Sequence, residues 1–233
     1  DRFGTTVSAA DLDNDGYKDL FTANSHVSEN ADIEGQQRYR QPNAVFRNMH
    51  DGSFRDVTSD SGSAMQVRAA HRGCAFGDLN NDGKPDIVTA PTTTSIAVLM
   101  NKGNGTFQNP QTYPIAQPIV RVFAAADFNG DGVADLFALG RTTSADPTRF
   151  VSVLLGKGDG TFQMPINSSG KWGQGSGPYS IAVGDFDRDG KTDLAVTDEF
   201  LTVLRGNGDG TFQTPAAPMA LLNTSTDVKV SDF

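Results

Sequence analysis

Asp185-Phe186-Asp187-Arg188-Asp189-Gly190-Lys191-Thr192-Asp193 is an acidic nine-residue stretch between two apolar runs, and its pattern D-x-[DN]-x-D-G-x-x-D occurs four times in the 233-residue chain. The other copies begin at Asp11, Asp78 and Asp127. Short carboxylates on alternate residues of a curled loop converge on one point, which is how Ca²⁺ collects the roughly six to eight oxygens it needs. The glycine lets the backbone turn sharply, because it takes positive φ at no steric cost. Each loop therefore reads as a calcium site, with side-chain oxygens at positions one, three, five and nine and a backbone carbonyl at position seven.

Residue by residue, site one is Asp11, Asp13, Asp15 and Asp19 with the carbonyl of Tyr17, and site two is Asp78, Asn80, Asp82 and Asp86 with that of Lys84. Site three is Asp127, Asn129, Asp131 and Asp135 with the carbonyl of Val133, and site four is Asp185, Asp187, Asp189 and Asp193 with that of Lys191. The blander reading is that Asp-Gly makes a hairpin turn. Turn chemistry does not require an oxygen side chain at the same four positions in every copy, and carboxylates this close repel without a cation. An EF-hand would carry a Glu at position twelve and run into a helix. Here the twelfth positions are Thr22, Thr89, Ala138 and Val196, within β-like runs, so that reading fails. Sites two and three have Asn in place of one carboxylate, and at equal geometry they are expected to bind more weakly than sites one and four.

The net charge of -9 argues against a nucleic-acid or anionic-membrane surface. The four loops hold 14 of the 28 acidic residues, so the excess acidity reads as metal-binding charge rather than a solubility device. Four Ca²⁺, one per loop, would bring the chain to about -1. One cysteine, Cys74, excludes an intrachain disulfide framework, and its apolar surroundings read as a buried, inert thiol. No membrane-spanning run is present, and the chain starts at Asp1 rather than Met, which reads as a processed or excised piece.

Self-similarity decides the architecture. A second motif trails each loop: Asp51-Gly52-Ser53-Phe54, Asn104-Gly105-Thr106-Phe107, Asp159-Gly160-Thr161-Phe162 and Asp209-Gly210-Thr211-Phe212. From each of the first three Phe residues to the next loop the chain runs 24, 20 and 23 residues, whereas loop-to-Phe distances vary more, at 43, 29, 35 and 27. Insertions thus enter at one place per unit. Each unit reads as four strands: the apolar approach, the run after the acidic loop, a run such as Thr202-Val203-Leu204-Arg205, and a strand starting at the trailing Phe. Four antiparallel strands per unit predict an all-β fold, a β-propeller of four-stranded antiparallel blades. The units are placed at about 1–67, 68–117, 118–176 and 177–225, with a fifth opening at 226–233, all within one propeller segment spanning 1–233.

These loops, with the V-L-x-G-x-G-D-G-T-F-Q-x-P pattern at 153–165 and 203–215, resemble the FG-GAP and VCBS repeats related to the propeller of integrin α subunits. Phe3-Gly4 and Phe76-Gly77 echo the FG element, but GAP survives only as Thr89-Ala90-Pro91, which favours the VCBS branch. The first unit is also similar to the cartilage acidic protein-like proteins. Family propellers commonly have seven blades, so the resemblance implies a partial arc of about four. It further implies a secreted, periplasmic or cell-surface, non-catalytic scaffold that binds a protein or carbohydrate ligand in adhesion, with no nucleic-acid partner and no membrane insertion in this segment. The alternative is an accessory propeller of an extracellular enzyme such as a polysaccharide lyase or phospholipase.

The glycine turns, such as Gly156-Lys157-Gly158-Asp159-Gly160, lack phosphate-loop and RTX spacing and read as hairpins. His26, His50 and His71 form no catalytic pattern and read as ordinary surface or core residues. Trp172, in a glycine-rich insertion, reads as a loop anchor in preference to a ligand contact. Recognition is expected in the insertions at 24–44 and 140–150. Asn104, Asn167 and Asn223 lie in N-x-[ST] sequons.

Overall fold

In a computed structural model, the described residues are 4–24, 41–69, 73–115, 119–141, 148–170, 180–197, 200–215 and 218–220. They form two compact units, Asp1–Pro114 and Ile115–Phe233. Each unit holds two four-stranded antiparallel sheets with strands in sequential order, so the fold is all-β and each sheet is a propeller-type blade.

In the first unit, β1 (Gly4–Ala10), β2 (Asp19–Asn24), β3 (Ala44–Asn48) and β4 (Phe54–Asp56) make one sheet. A 3₁₀ turn at Ser63–Gln66 leads to β5 (Cys74–Gly77), β6 (Asp86–Thr92), β7 (Ser95–Leu99) and β8 (Gln111–Pro114). The second unit holds β9 (Ile119–Ala126), β10 (Asp135–Arg141), β11 (Arg149–Leu154) and β12 (Ile166–Gly170), then β13 (Ser180–Gly184), β14 (Asp193–Thr197), β15 (Phe200–Leu204) and β16 (Met219–Ala220).

Register fixes the acidic loops. Ala10 pairs with Asp19, Gly77 with Asp86, Ala126 with Asp135 and Gly184 with Asp193, so each loop bridges the first hairpin of its blade. Position nine is in every case the first residue of the second strand. That strand is buried along its length in the fourth blade and from Asp86 to Ala90 in the second, where Asp86, Ile87, Val88, Thr89 and Ala90 are all at or near zero exposure, and most of its residues are apolar for that reason.

Each unit has its own core. In the first, Leu12, Phe21, Val45, Met65, Ile87, Leu99 and Phe107 cluster, with Cys74 and Phe76 packed against them. In the second, Phe128, Phe137, Leu139, Val153, Leu194 and Leu204 cluster with Phe212, whose ring sits edge-on to Phe128 and Phe137 at 5.8 and 5.6 Å. Position two of the loop joins this packing through Leu12 and Phe128; Leu79 is also buried, whereas Phe186 is exposed.

The fourth strands differ from the sequence expectation. Phe54 does open β4, but Phe107, Phe162 and Phe212 make only isolated bridges, to Asn101, Gly156 and Gly206. The regular strand begins beyond them, at Gln111, Ile166 and Met219. The physical reason is twofold. Phe107 and Phe162 turn into the core, at 3% and 6% exposure, and a proline follows three residues later, which cannot donate to a ladder. Cys74 is half-buried rather than fully buried, and burial pushes its thiol up. Trp172, His26, His71, Asn223, the opening of a fifth unit at 226–233, and most of both insertions lie outside the described residues.

Candidate metal centres

The four loops share one backbone template. The carboxylate at position one accepts two backbone N–H groups, from positions five and six: Asp15 and Gly16 onto Asp11, Asp82 and Gly83 onto Asp78, Asp131 and Gly132 onto Asp127, and Asp189 and Gly190 onto Asp185. Position five in turn accepts the N–H of position seven, as Asp15 does from Tyr17, Asp82 from Lys84, Asp131 from Val133 and Asp189 from Lys191. These bonds curl the loop with left-handed residues at position six and also at position four, where Asn14, Asn81, Gly130 and Arg188 have φ of 63°, 56°, 77° and 61°. The sequence pattern marks the position-six glycine only.

Position nine has a second duty that the sequence reading did not assign. Each of these carboxylates is buried, and both oxygens accept backbone N–H groups. Oδ2 of Asp19, Asp86, Asp135 and Asp193 takes the N–H of Leu12, Leu79, Phe128 and Phe186 at 2.9–3.0 Å. Oδ1 takes the N–H of Asn48, Asn101, Gly156 and Gly206 at 2.7–2.9 Å. One side chain thus ties the loop to the end of the third strand. At Gly206 the approach is so close that a Cβ would lie 2.3 Å from the carbonyl oxygen of Thr192.

The structure brings carboxylate oxygens together in two loops. Among the described residues, Asp11, Asp13 and Asp15 in the first, and Asp185, Asp187 and Asp193 in the fourth, offer oxygens all within 4.8 Å of one another. Asn80 and Asn129 put an amide oxygen at position three of the other two, where each accepts the N–H of position five. Two acidic groups can therefore hold a metal ion. Donor chemistry fits a hard cation: oxygens only, most of them carboxylate. One further observation supports the fit. Asp13 Oδ1 is buried with no hydrogen-bond partner, in a side chain only 10% exposed. An orphaned buried carboxylate oxygen is costly unless something cationic faces it.

Neighbouring cations already touch the loops. Arg47 Nε lies 2.7 Å from Asp13 Oδ2, Arg205 Nε lies 3.4 Å from Asp187 Oδ2, and Lys84 and Lys191 reach Asp82 and Asp189 at 2.9 and 3.1 Å. His50 Nε2 is 2.7 Å from Asp15 Oδ2, and its ring stacks on Tyr17 at 3.9 Å. Nothing in the spacing of His50, Arg47 and Arg205 marks them as loop partners; the hairpin register brings them there. Burial, reinforced by Asp19, raises the carboxyl of Asp13. Backbone donation from Tyr17, then His50, lowers that of Asp15. Burial would raise Asp127 too, but four backbone N–H groups from Gly132, Gly130, Asp131 and Asn129 outweigh it.

A family model described as FG-GAP-like repeat matches residues 11–89, 78–138 and 139–196. Cartilage acidic protein 1 of Xenopus tropicalis is 32% identical over 168 residues, covering 64% of this chain and 24% of that protein. The chain thus spans about a quarter of the length of this curated relative. A Tc holotoxin pore of Photorhabdus luminescens superposes with a TM-score of 0.45 at 17% identity, over 94% of this chain and 9% of that one.

Proposed function

The chain belongs to the FG-GAP-like repeat family, and from that premise we propose that it is a calcium-stabilised, non-catalytic scaffold of a secreted or cell-surface protein. The observation that carries the reading is the common hydrogen-bond template, which curls all four loops around the position-one carboxylate, together with the carboxylate oxygens gathered within 4.8 Å in the first and fourth. Asp11, Asp13, Asp15 and Asp19, and their counterparts in the other three loops, would hold the ion, with the carbonyls of Tyr17, Lys84, Val133 and Lys191. Calcium there supplies the positive charge that cancels repulsion among the carboxylates.

The role is scaffolding because the loops close the first hairpin of each blade and position nine locks that hairpin to the third strand. Among the described histidines, His50 pairs with a loop carboxylate rather than with a hydroxyl or thiol, so no nucleophile is activated by it. A relative named for cartilage supports an extracellular setting, and the ligand proposed for the scaffold is a protein or a carbohydrate.

Calcium titration of the 233-residue chain by calorimetry, with melting in calcium and in EDTA, tests this. At a calcium concentration about ten times Kd, each site stabilises by about 1.4 kcal/mol. A melting temperature unmoved by EDTA sinks the proposal. An array of glycans and matrix proteins then asks which ligand class the scaffold holds.

A further inference from the structure

We propose that Arg47 and Arg205 are built-in counter-charges that set the cation affinity of the first and fourth loops and bring them level with the second and third. The inference rests on reading those loops as calcium sites. Its basis is a matched alternation within the chain. The N–H groups of Asn48, Asn101, Gly156 and Gly206 all donate to a position-nine carboxylate, which aligns the four third strands. One residue earlier stand Arg47, Met100, Leu155 and Arg205. At position three of the same loops stand Asp13, Asn80, Asn129 and Asp187. An arginine occurs where position three is a carboxylate, and an apolar residue where it is an amide. The lysines at position seven do not follow this rule, since Lys84 accompanies Asn80 and Lys191 accompanies Asp187.

Geometry gives the pairing its cause. In the first unit, the Gly105 N–H donates to the Leu12 carbonyl at 3.2 Å, and a Cβ on Gly105 would lie 3.0 Å from Arg47 Nη2 and 3.6 Å from Asp13 Cβ. In the second, Gly210 donates to the Phe128 carbonyl at 3.1 Å, and its Cβ would meet Leu155 Cδ2 at 2.9 Å. The glycine turn of the following blade thus covers the same third-strand position in both units. A carboxylate beneath that cover is stripped of water and needs a partner. Arg47 satisfies one oxygen of Asp13 and leaves Oδ1 without a protein partner. In the first loop the extra carboxylate is therefore not extra attraction for a cation, because an arginine already offsets it, and in the fourth Arg205 offsets Asp187 from a more exposed position at 3.4 Å. A count of carboxylates alone, which makes sites one and four the tighter pair, omits this charge.

Calcium titration of Arg47→Met and Arg205→Leu, each in the whole 233-residue chain, tests the assignment. Each variant should show one new site about tenfold tighter than those of the wild type, as expected when a unit charge near a divalent ion is removed. Asp13→Asn/Arg47→Met, which copies the Asn80 and Met100 pair, should return to within about threefold of wild type. Unchanged or weaker binding in both single variants, with a wild type that binds calcium, overturns this inference alone. A wild type that binds no calcium overturns the calcium reading and this inference with it. If Arg47→Met does not fold, Arg205→Leu decides, since its arginine is 58% exposed.

Discussion

Asp86 shows how one side chain can hold a fold together and still be costly to bury. Its oxygens accept the N–H groups of Leu79 and Asn101 at 3.0 and 2.7 Å, yet it is fully buried and near Asp82 and Asp78. Burial outweighs the hydrogen bonds and pushes its carboxyl up to about 6 from an ordinary 3.8. The folded chain then binds this proton more tightly than the unfolded chain. Between those two values, the stability of the metal-free protein falls as pH rises, and the whole penalty is present above about pH 6. Guanidinium melts in EDTA should therefore show Asp86 adding stability as pH drops from about 7 to 5. Asp86→Asn should flatten that part of the profile. A profile that Asp86→Asn leaves unchanged removes Asp86 as its source. In calcium the trend should weaken, because a bound cation favours the ionised carboxylate.

At the scale of the element, the trailing Phe residues separate what the sequence shows from what it hides. Phe107 and Phe54 occupy the same motif position, but Phe107 is 3% exposed in the core and Phe54 is 44% exposed on a short edge strand. Phe107→Ala should cost about 3–5 kcal/mol. Phe54→Ala should cost roughly 1 kcal/mol or less, since little apolar area is lost from burial. Urea melts of the two variants check this, and equal costs would refute it. The acidic loops and their hairpins were legible because ligand-type oxygens at fixed spacing recur, and the repeat leaves little freedom for what lies between. The start of the fourth strand was not, because it depends on whether a Phe turns inward and where the next proline blocks the ladder. Arg47, Arg205 and His50 were not legible at the site either. They reach Asp13, Asp187 and Asp15 only through the pairing of the second strand with the third, which a linear pattern does not encode. The buried bonds at position nine were hidden for a different reason: the same aspartate serves both as a cage residue and as a cap for the third strand, so its spacing announces one role and is silent on the other.

For the whole molecule, the acidic balance becomes a measurable quantity. Half of the 28 acidic residues lie in four short loops, and the net charge is -9. Without a divalent cation, these loops repel internally and the chain repels itself, and both effects are screened by salt over about 10 Å at 0.1 M. Four Ca²⁺ would cancel most of this charge at its source, leaving about -1. Salt and calcium should therefore act on the same term and fail to add. Raising NaCl from about 0.02 to 0.5 M in EDTA should raise the melting temperature, because screening relieves repulsion that the folded loops concentrate and the unfolded chain spreads out. In saturating calcium the same salt should leave the melting temperature nearly unchanged or lower it, since screening then weakens attraction between ion and carboxylates. Scanning calorimetry at both salt levels, with and without calcium, measures this as a two-by-two cycle. Equal salt increments in EDTA and in calcium would place the destabilising charge outside the loops, and would mean that the acidity serves the surface rather than the sites.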